Sequence, residues 1–356
     1  MAFHRRTAVP TPASTRPLVL VAILLTLAGF GCGAGAGGGG SDGGEPPKTA
    51  ERAGGYSVSH IDALDRLSTA SDVNAQGVVV GSGPAERDGG GPTHAFAWLN
   101  GTAEDLGLDS AQAVNDAGEI SGEDGPVATV WRPDGSKVQL AYGSARALSN
   151  TGHVVGEART AQGHIRAFLW DGHEVTALDT LGGANSGAYA VNDSGQVAGW
   201  SENAEGLVRA CAWVAGSPTD MGTLGGARSM AYAISAAGVV VGYAATADGV
   251  DHAFVAEPDT EMIDLGSLGG YSVAYDVDAA GRVVGESAAA DGAPHAFLWE
   301  NGDMVDLNDL LPPASGWLLI RALAVSDKGH VVGQGLLDGV ERAFLLALQG
   351  PEPASL

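Results

Sequence analysis

Residues 188–226 read AYAVNDSGQVAGWSENAEGLVRACAWVAGSPTDMGTLGG and contain a complete pattern of extended segments and turns. AYAV and QVAGWS are extended stretches separated by NDSG, which predicts a hairpin: Asn192 is able to hydrogen-bond the turn backbone, and Gly195 is able to adopt the left-handed conformation. The polar turn ENAEG then leads to VRACAWV, and a further turn leads to TDMG. The stretch therefore predicts four short strands joined by tight turns.

Four strands in about 43 residues are typical of one blade of a β-propeller. A coil of a β-solenoid needs fewer residues and fewer strands, so it is the second interpretation. The high glycine content, 55 residues in 356, also favours many turns and short strands over helices.

The unit occurs seven times, at intervals of 34–48 residues. Every copy ends on a glycine: Gly81, Gly122, Gly156, Gly199, Gly242, Gly285 and Gly333. Every copy also has Asn, Asp or Ser at the first turn position, with Gly three residues later: Asn74, Asn115, Ser149, Asn192, Ser235, Asp278 and Ser326. A polar residue that recurs at every turn indicates turn chemistry rather than catalysis.

A second element follows each copy, and its clearest form is HAFLW at residues 295–299. A third is a short strand typified by MIDLG at 262–266, and LGG precedes the next unit in three copies. Together these elements resemble the HAF-repeat family of extracellular bacterial proteins, over about residues 56–348. The resemblance implies an extracellular repeat protein and brings no catalytic residues with it.

The phase of the repeats predicts a closed ring. The first folded stretch, YSVSHIDAL at residues 56–64, aligns with a fourth strand, and the last, RAFLLAL at 342–348, is a third strand. Pairing of the two completes the last blade and removes an exposed edge. We therefore predict an all-β, seven-bladed β-propeller of four-stranded antiparallel blades over residues 55–349, followed by a tail at 350–356.

The first residue of HAFLW is His or Arg in six of the seven copies. We call the glycine that ends each copy the blade glycine. In four units the His/Arg position lies nine residues after the residue that follows this glycine. The equal spacing predicts cross-strand pairs. The pairs are Glu157 with Arg166, Trp200 with Arg209, Tyr243 with His252, and Glu286 with His295. We favour structural pairing over ligand binding or catalysis, and no metal or cofactor is expected. The Phe and Trp of the same element are expected to pack between blades, and Cys211, which replaces Phe, is expected to be a small buried apolar residue.

The N-terminus has the pattern of an export signal. Arg5, Arg6 and Arg16 precede the apolar run PLVLVAILLTLAGF at 17–30, which at about 14 residues is too short to span a bilayer. Residues 1–31 are therefore predicted to be a signal peptide. LAGFGCG resembles a bacterial lipobox, which makes Cys32 the candidate lipidated residue, with simple secretion as the alternative. Residues 32–54 are Gly/Ser-rich and predict a flexible tether.

Seven similar units without a unique catalytic cluster favour a non-enzymatic binding scaffold at the cell envelope. The candidate ligand rim comprises Tyr189, Tyr232, Tyr275 and, in the asymmetric insertion of the last unit, Trp317. The alternative is an envelope enzyme acting on glycans through two acidic residues at the central funnel. The net charge of −24 argues against nucleic-acid binding, because such a surface repels phosphates. We expect a monomer, exported either to the outer membrane through its lipid or to the medium, with an unidentified protein or glycan partner.

Overall fold

The computed structural model describes residues 56–61, 68–84, 93–107, 109–257, 260–312 and 314–348. The predicted signal peptide, Cys32, the tether and the tail lie outside these residues. The described residues form an all-β fold of six antiparallel sheets with one short 3-10 helix at Leu307–Leu310. Each sheet is built from hairpins of consecutive strands, as the turn pattern predicts.

The first two sheets account for the first three repeats. The first contains β2 (Thr69–Val73), β3 (Val79–Pro84), β4 (Thr93–Leu99) and β5 (Thr102–Asp105). The second has seven strands: β6 (Ser110–Val114), β7 (Ile120–Asp124), β8 (Val127–Trp131), β9 (Lys137–Leu148), β10 (Val154–Arg159), β11 (Ile165–Trp170) and β12 (Val175–Ala177).

Three further sheets hold repeats four to six. The third sheet contains β13 (Gly182–Val191), β14 (Val197–Asn203), β15 (Val208–Val214) and β16 (Ser217–Asp220). The fourth contains β17 (Gly225–Ile234), β18 (Val240–Thr246), β19 (Asp251–Ala256) and β20 (Ile263–Asp264). The fifth contains β21 (Ser272–Val277), β22 (Val283–Ala288), β23 (Pro294–Glu300) and β24 (Asp303–Asp306).

The sixth sheet joins the two ends of the described chain. It contains β25 (Trp317–Val325), β26 (Val331–Leu337) and β27 (Val340–Leu348), and β1 (Tyr56–His60) pairs with β27 as its outer strand. Tyr56 lies opposite Leu348 and His60 opposite Phe344. The expectation that the N-terminal strand supplies the missing fourth strand of the last unit is thus confirmed.

The seven-stranded sheet departs from the expected pattern of separate four-stranded sheets. Residues 137–142 of β9 pair with β8, and residues 143–148 of the same strand pair with β10. One strand therefore acts as the outer strand of the second repeat and the first strand of the third. This fusion accounts for the interval of 34 residues, the shortest in the chain, because no crossing segment separates the two strands.

Neighbouring sheets pack through their first strands. β2 contacts β6, and the contacts continue through β9, β13, β17, β21 and β25 before returning from β25 to β2. The buried apolar residues form clusters that each span adjoining repeats, as where Val155 of β10 packs with Cys211 and Trp213 of β15. Cys211 and Trp213 are fully buried, so the expectation that this motif packs between repeats is confirmed.

All seven first strands carry a β-bulge at the same repeat position. In β13, Ala188 lies opposite Gly199 and Ala190 lies opposite Ala198, so Tyr189 between them has no direct partner. The same shift recurs in the other six repeats. The seven bulged residues are Ser71, Gln112, Arg146, Tyr189, Tyr232, Tyr275 and Leu323. A bulge bends the strand and redirects the side chain that it carries.

The blade glycine makes this bulge sterically possible. A Cβ atom placed on Gly285 would overlap the backbone carbonyl oxygen of Val273 in the first strand, and it would lie 2.7 Å from the ring of Phe297 in the third. The equivalent glycines of the other six repeats meet the same carbonyl. Phe297 lies directly opposite Gly285 and is fully buried, so its ring covers the space that the glycine leaves.

The turns between first and second strands follow the predicted chemistry. Gly195 has a φ of 76°, and the side-chain oxygen of Asn192 accepts the backbone N–H of Gln196 at 3.0 Å. The same Asn192 donates its Nδ2 to the carbonyl oxygen of Ser235 in the next repeat at 3.0 Å. The turn residue therefore closes its own hairpin and ties one repeat to the next.

Replacement of Gly285 by Ala tests the steric requirement at the bulge. We expect Gly285→Ala to lower the free energy of unfolding by about 3 kcal/mol, because either the carbonyl of Val273 or the sheet must move. Gly292→Ala is the matched control: its Cβ meets open space, so only the left-handed φ of 84° opposes it, at about 1 kcal/mol. Urea unfolding monitored by tryptophan fluorescence measures both, and equal losses would contradict the steric account.

Candidate functional site

A central cavity of about 410 Å³ is lined by one bulged residue from each of the seven repeats. These are the residues that the bulges turn out of their sheets, together with Thr69 and Ala70 at the start of β2. The lining includes Tyr189, Tyr232 and Tyr275, three of the four residues predicted for a ligand rim. We call this cavity the central channel.

The lining of the central channel is chemically divided. Repeats four, five and six contribute the tyrosines, whose ring centroids are 5.7 Å apart between Tyr189 and Tyr232 and 5.6 Å apart between Tyr232 and Tyr275. Repeats one, two and three contribute a hydroxyl, an amide and a guanidinium: Ser71, Gln112 and Arg146. Leu323 of the last repeat separates the two arcs. A ligand in the channel would meet an aromatic wall on one side and hydrogen-bonding groups on the other.

Arg146 is the charged side chain of this lining. Its Nη2 lies 3.5 Å from Oε2 of Glu157, and its guanidinium carbon lies 5.8 Å from the ring centroid of Tyr189. Its Nε is buried and has no hydrogen-bond partner among the described residues, as is also the case for Nε of Arg209 and Arg321. Because this atom is closed to solvent, a ligand in the channel would have to use the terminal nitrogens of the partly exposed side chain.

The tyrosine hydroxyls are held in their neutral form. Burial, followed by the negative charge of Glu286, raises the pKa of Tyr275 to about 12. Burial and the neighbouring tyrosines likewise raise the pKa of Tyr232, and burial with Glu157 raises that of Tyr189. The aromatic wall therefore offers uncharged rings and hydroxyls at neutral pH.

The four predicted cross-strand pairs are wrong by one residue. Glu157 lies opposite Ala167, and Arg166 lies opposite Ala158; the same offset occurs for Trp200 with Arg209, Tyr243 with His252, and Glu286 with His295. The connecting hairpins have three-residue turns that end on a left-handed glycine, such as Gly163. Opposed residues are then separated by even numbers of positions, so residues nine apart project from opposite faces of the sheet.

The residues after the blade glycine instead lie next to the central channel. Trp200 donates its Nε1 to Oε1 of Glu157 at 3.3 Å, and the ring of Tyr243 lies 6.0 Å from that of Tyr232. Glu286 accepts the hydroxyl of Tyr271 at 2.7 Å, and its other oxygen lies 3.5 Å from Nε of Arg321. These side chains form a second layer of contacts around the channel-lining residues.

The histidines pair with the fourth strand rather than the second. Nδ1 of His295 lies 2.5 Å from Oδ2 of Asp306. His94 with Asp105 and His252 with Asp264 make the same contact at 2.9 Å. The aspartate of the D-L-G element also accepts the glycine N–H two residues later, as Asp264 does from Gly266 at 2.7 Å. The histidines therefore pair across neighbouring strands, but the partner is in the fourth strand rather than the second.

The signal for these pairs was present in the sequence. Each His is followed eleven or twelve residues later by an Asp in the fourth strand. Arg209 has no such contact, since its Nε is buried without a hydrogen-bond partner among the described residues. No group of three or more His, Cys, Asp or Glu residues able to hold a metal ion occurs in the part of the chain that the structure describes.

Trp317 does not join the tyrosines. It begins β25 opposite Leu337, and its ring packs edge-on against Phe344 at 6.1 Å. Its position is six residues before the channel residue of the same strand, Leu323. The insertion around it is held by Asn308, whose side chain bonds both N–H and C=O of Leu319 at 2.7 and 3.0 Å. The predicted role of Trp317 in a ligand rim is therefore wrong.

Two aspartates next to the bulges were missed by the sequence reasoning. Asp72 accepts backbone N–H groups from Val73 at 2.7 Å and from Val114 of the next repeat at 2.8 Å. Asp276 accepts those of Val277 and Val325, both at 2.8 Å. The other five repeats have alanine at this position, which was the available signal: Ala113, Ala147, Ala190, Ala233 and Ala324.

Burial raises the pKa of both carboxyl groups, against the effect of their hydrogen bonds. The pKa of Asp72 rises to about 6 and that of Asp276 to about 8, where the charge of Asp72 contributes as well. Both carboxyl groups therefore ionise at higher pH than ordinary aspartates.

These shifts predict a pH-dependent stability. The folded chain holds the proton on Asp276 more tightly than the unfolded chain, so the stability contributed by protonation is full at low pH and is lost as pH rises to about 8. We expect Asp276→Asn to flatten the fall in unfolding free energy between about pH 5 and about pH 8. Urea titrations at several pH values measure the slope, with Asp291→Asn in an exposed turn as control. The same slope in wild type and Asp276→Asn would refute the assignment.

Comparison with known proteins agrees with this architecture. Two solved structures of puromycin hydrolase, one of them complexed with PGG, align with TM-scores of 0.52 and 0.51 over 76% of this chain and 51% of theirs, at 14% and 15% identity. TolB from Acinetobacter baumannii aligns with a TM-score of 0.44 at 13% identity, over 76% of this chain and 64% of that protein. The likeness to the hydrolases concerns the fold alone, and the match spans about half of their length.

Comparison of the amino-acid sequence with known families and proteins gives no match. No family model matches the chain. No curated protein matches it either.

Proposed function

We propose that the chain is a closed seven-bladed propeller of the HAF-repeat type. Three observations support this proposal: the closed cycle of contacts among the seven first strands, the seven equivalent bulges, and the pairing of β1 with β27. In this proposal the seven-stranded sheet counts as two blades that share β9.

The proposed function is non-enzymatic binding of a small polar ligand in the central channel, on a scaffold displayed at the cell envelope. The observation that carries it is a contrast between two repeat positions. The blade glycine is the same in all seven repeats, whereas the neighbouring channel position holds Ser, Gln, Arg, Tyr or Leu. The steric requirement of the fold accounts for the glycine in every repeat. Binding of a ligand would account for aromatic residues on one side of the channel and polar residues on the other.

A binding screen tests this function. The chain without its lipid, incubated with fragments of envelope glycans and small polar metabolites, is expected to show ligand-dependent rises in melting temperature. Tyr232→Ala, which removes the middle ring of the aromatic wall, should abolish them, while His295→Ala, in a pair of the outer strands, should retain them. Ligands that bind Tyr232→Ala as well as wild type, or no ligand at all, would contradict channel binding.

Export and lipid attachment complete the proposal. The N-terminal pattern around Cys32 supports it, and Cys32 lies outside the described residues. Among the described residues, none belongs to a helix long and apolar enough to cross a membrane. A lipid on Cys32 followed by a glycine-rich tether would hold the propeller at a membrane surface.

Processing of the precursor tests the anchor. Globomycin, which inhibits lipoprotein signal peptidase, should make the unprocessed chain accumulate in a bacterial host, and Cys32→Ser should abolish radiolabelled palmitate incorporation. Unchanged processing with globomycin and palmitate incorporation into Cys32→Ser would each defeat the lipid-anchor proposal.

A second candidate function is glycan cleavage, and Asp72 with Asp276 favours it. Acid–base hydrolysis uses two carboxyl groups whose surroundings move their pKa values apart, and the raised pKa values of Asp72 and Asp276 differ in this way. Neither residue belongs to the lining of the channel. Each group, however, already accepts two backbone N–H groups, which supports a structural role first. Turnover of a glycan by wild type that Asp276→Asn lacks, with binding retained, would favour the enzyme over the scaffold.

A further inference from the structure

We propose that the central channel binds a single sugar unit that bears a carboxylate, of the hexuronic acid class. This inference rests on the proposed function, because it names the ligand of the same channel. It follows from three properties of the lining: one aromatic arc, one arc of hydrogen-bonding groups, and one guanidinium.

The aromatic arc provides a face for a ring. Tyr232 lies between Tyr189 and Tyr275, and the three rings form a continuous wall on one side of the channel. A pyranose has an apolar face of C–H groups and a polar rim of hydroxyls. Packing of that face on the tyrosines removes apolar surface from water while the hydroxyls remain free to bond elsewhere.

The opposite arc provides partners for the hydroxyls. The hydroxyl of Thr69 already accepts a hydrogen bond from Nε2 of Gln334 at 3.0 Å. Ser71 and Gln112 contribute a hydroxyl and an amide to the channel lining, which can both donate and accept. An aromatic acid such as benzoate would stack on the tyrosines but leave these groups without partners. Specificity for polar ligands arises where unpaired site groups penalise the wrong compound, so the polar arc favours a sugar.

Arg146 provides the site for the carboxylate. Its side chain lines the channel and is partly exposed, and its pairing with Glu157 is long, at 3.5 Å. A guanidinium binds a carboxylate through two parallel, charge-assisted hydrogen bonds, which its two terminal nitrogens can provide. A neutral sugar offers this cation only uncharged acceptors, so an acidic sugar is the better match.

Volume and charge limit the ligand further. About 410 Å³ is near the lower end of the range for small-molecule sites and holds one sugar, with room for part of a second. The chain carries a net charge of −24, which repels a polyanion. The ligand is therefore a monomeric acid or the terminal unit of a chain, rather than a segment within an acidic polysaccharide.

A cationic ligand fits less well, although the net charge of the chain would attract one. The guanidinium of Arg146 lines the channel and already lies 5.8 Å from the ring centroid of Tyr189. It would repel a second cation placed on the aromatic wall and attract an anion.

Calorimetric titration of the lipid-free chain with D-glucuronate, D-glucose and benzoate tests the inference. We expect glucuronate to bind about tenfold or more tightly than either of the other two compounds, because glucose lacks the carboxylate and benzoate lacks the hydroxyls. Arg146→Gln should weaken glucuronate about tenfold or more and leave glucose unchanged, and Tyr232→Ala should weaken both sugars. His295→Ala is the control and should bind glucuronate like wild type.

The results separate this inference from the proposed function. Equal affinity for glucose and glucuronate, or an Arg146→Gln variant that retains full glucuronate affinity and a normal melting temperature, would overturn the acidic-sugar assignment. If glucuronate does not bind, while another compound from the screen binds wild type and not Tyr232→Ala, the assignment fails and channel binding stands. If nothing binds, both fail.

Discussion

The close approach of a carbonyl oxygen in the first strand to a glycine in the second is the contact on which the structure depends. At Gly285 a single added methyl group would overlap the carbonyl of Val273. The approach produces a bulge, and the bulge directs Tyr275 away from the sheet and into the central channel. One local steric condition, met seven times, therefore determines both the shape of the inner strands and the positions that can contact a ligand.

The same condition explains how neighbouring repeats stay together. A Phe in the third strand covers the space above the blade glycine and packs against the adjoining repeat, as Phe297 does with Val241. At the turns, side-chain amides such as that of Asn192 bond the carbonyl of the next turn. Near the channel, the carboxyl group of Asp276 accepts the backbone N–H of Val325, in the first strand of the next repeat. Interactions that define one hairpin thus also link it to the next.

Much of this architecture could be predicted from sequence because glycine and turn residues have few alternatives. Gly195 in NDSG is left-handed as expected, and the phase of the repeats placed β1 beside β27. The register of the strands was harder to predict, because it depends on the length of the connecting turn. A three-residue turn shifts the pairing by one position relative to a two-residue turn. This shift places Arg166 on the opposite face of the sheet from Glu157. The partner of His295 is Asp306 in the fourth strand, whereas the prediction used only the hairpin of the second and third strands.

The candidate site was predictable in part. The tyrosines were found because each begins a repeat after a crossing segment, but the bulge that turns them inward has no simple sequence signature apart from the distant glycine. The polar arc was missed because Ser71, Gln112 and Arg146 are unrelated residue types that only alignment by repeat brings together. Trp317 was misplaced because an unusual insertion suggested function, whereas its ring packs against Phe344.

We propose that seven equivalent bulges surround one channel in a ring that the N-terminal strand closes. A crystal structure of the chain, grown with D-glucuronate, tests this proposal. We expect seven inner strands around the channel, Tyr56 paired with Leu348, and the sugar between Tyr232 and Arg146. An open ring, a different number of inner strands, or a channel filled by the protein's own side chains would contradict it.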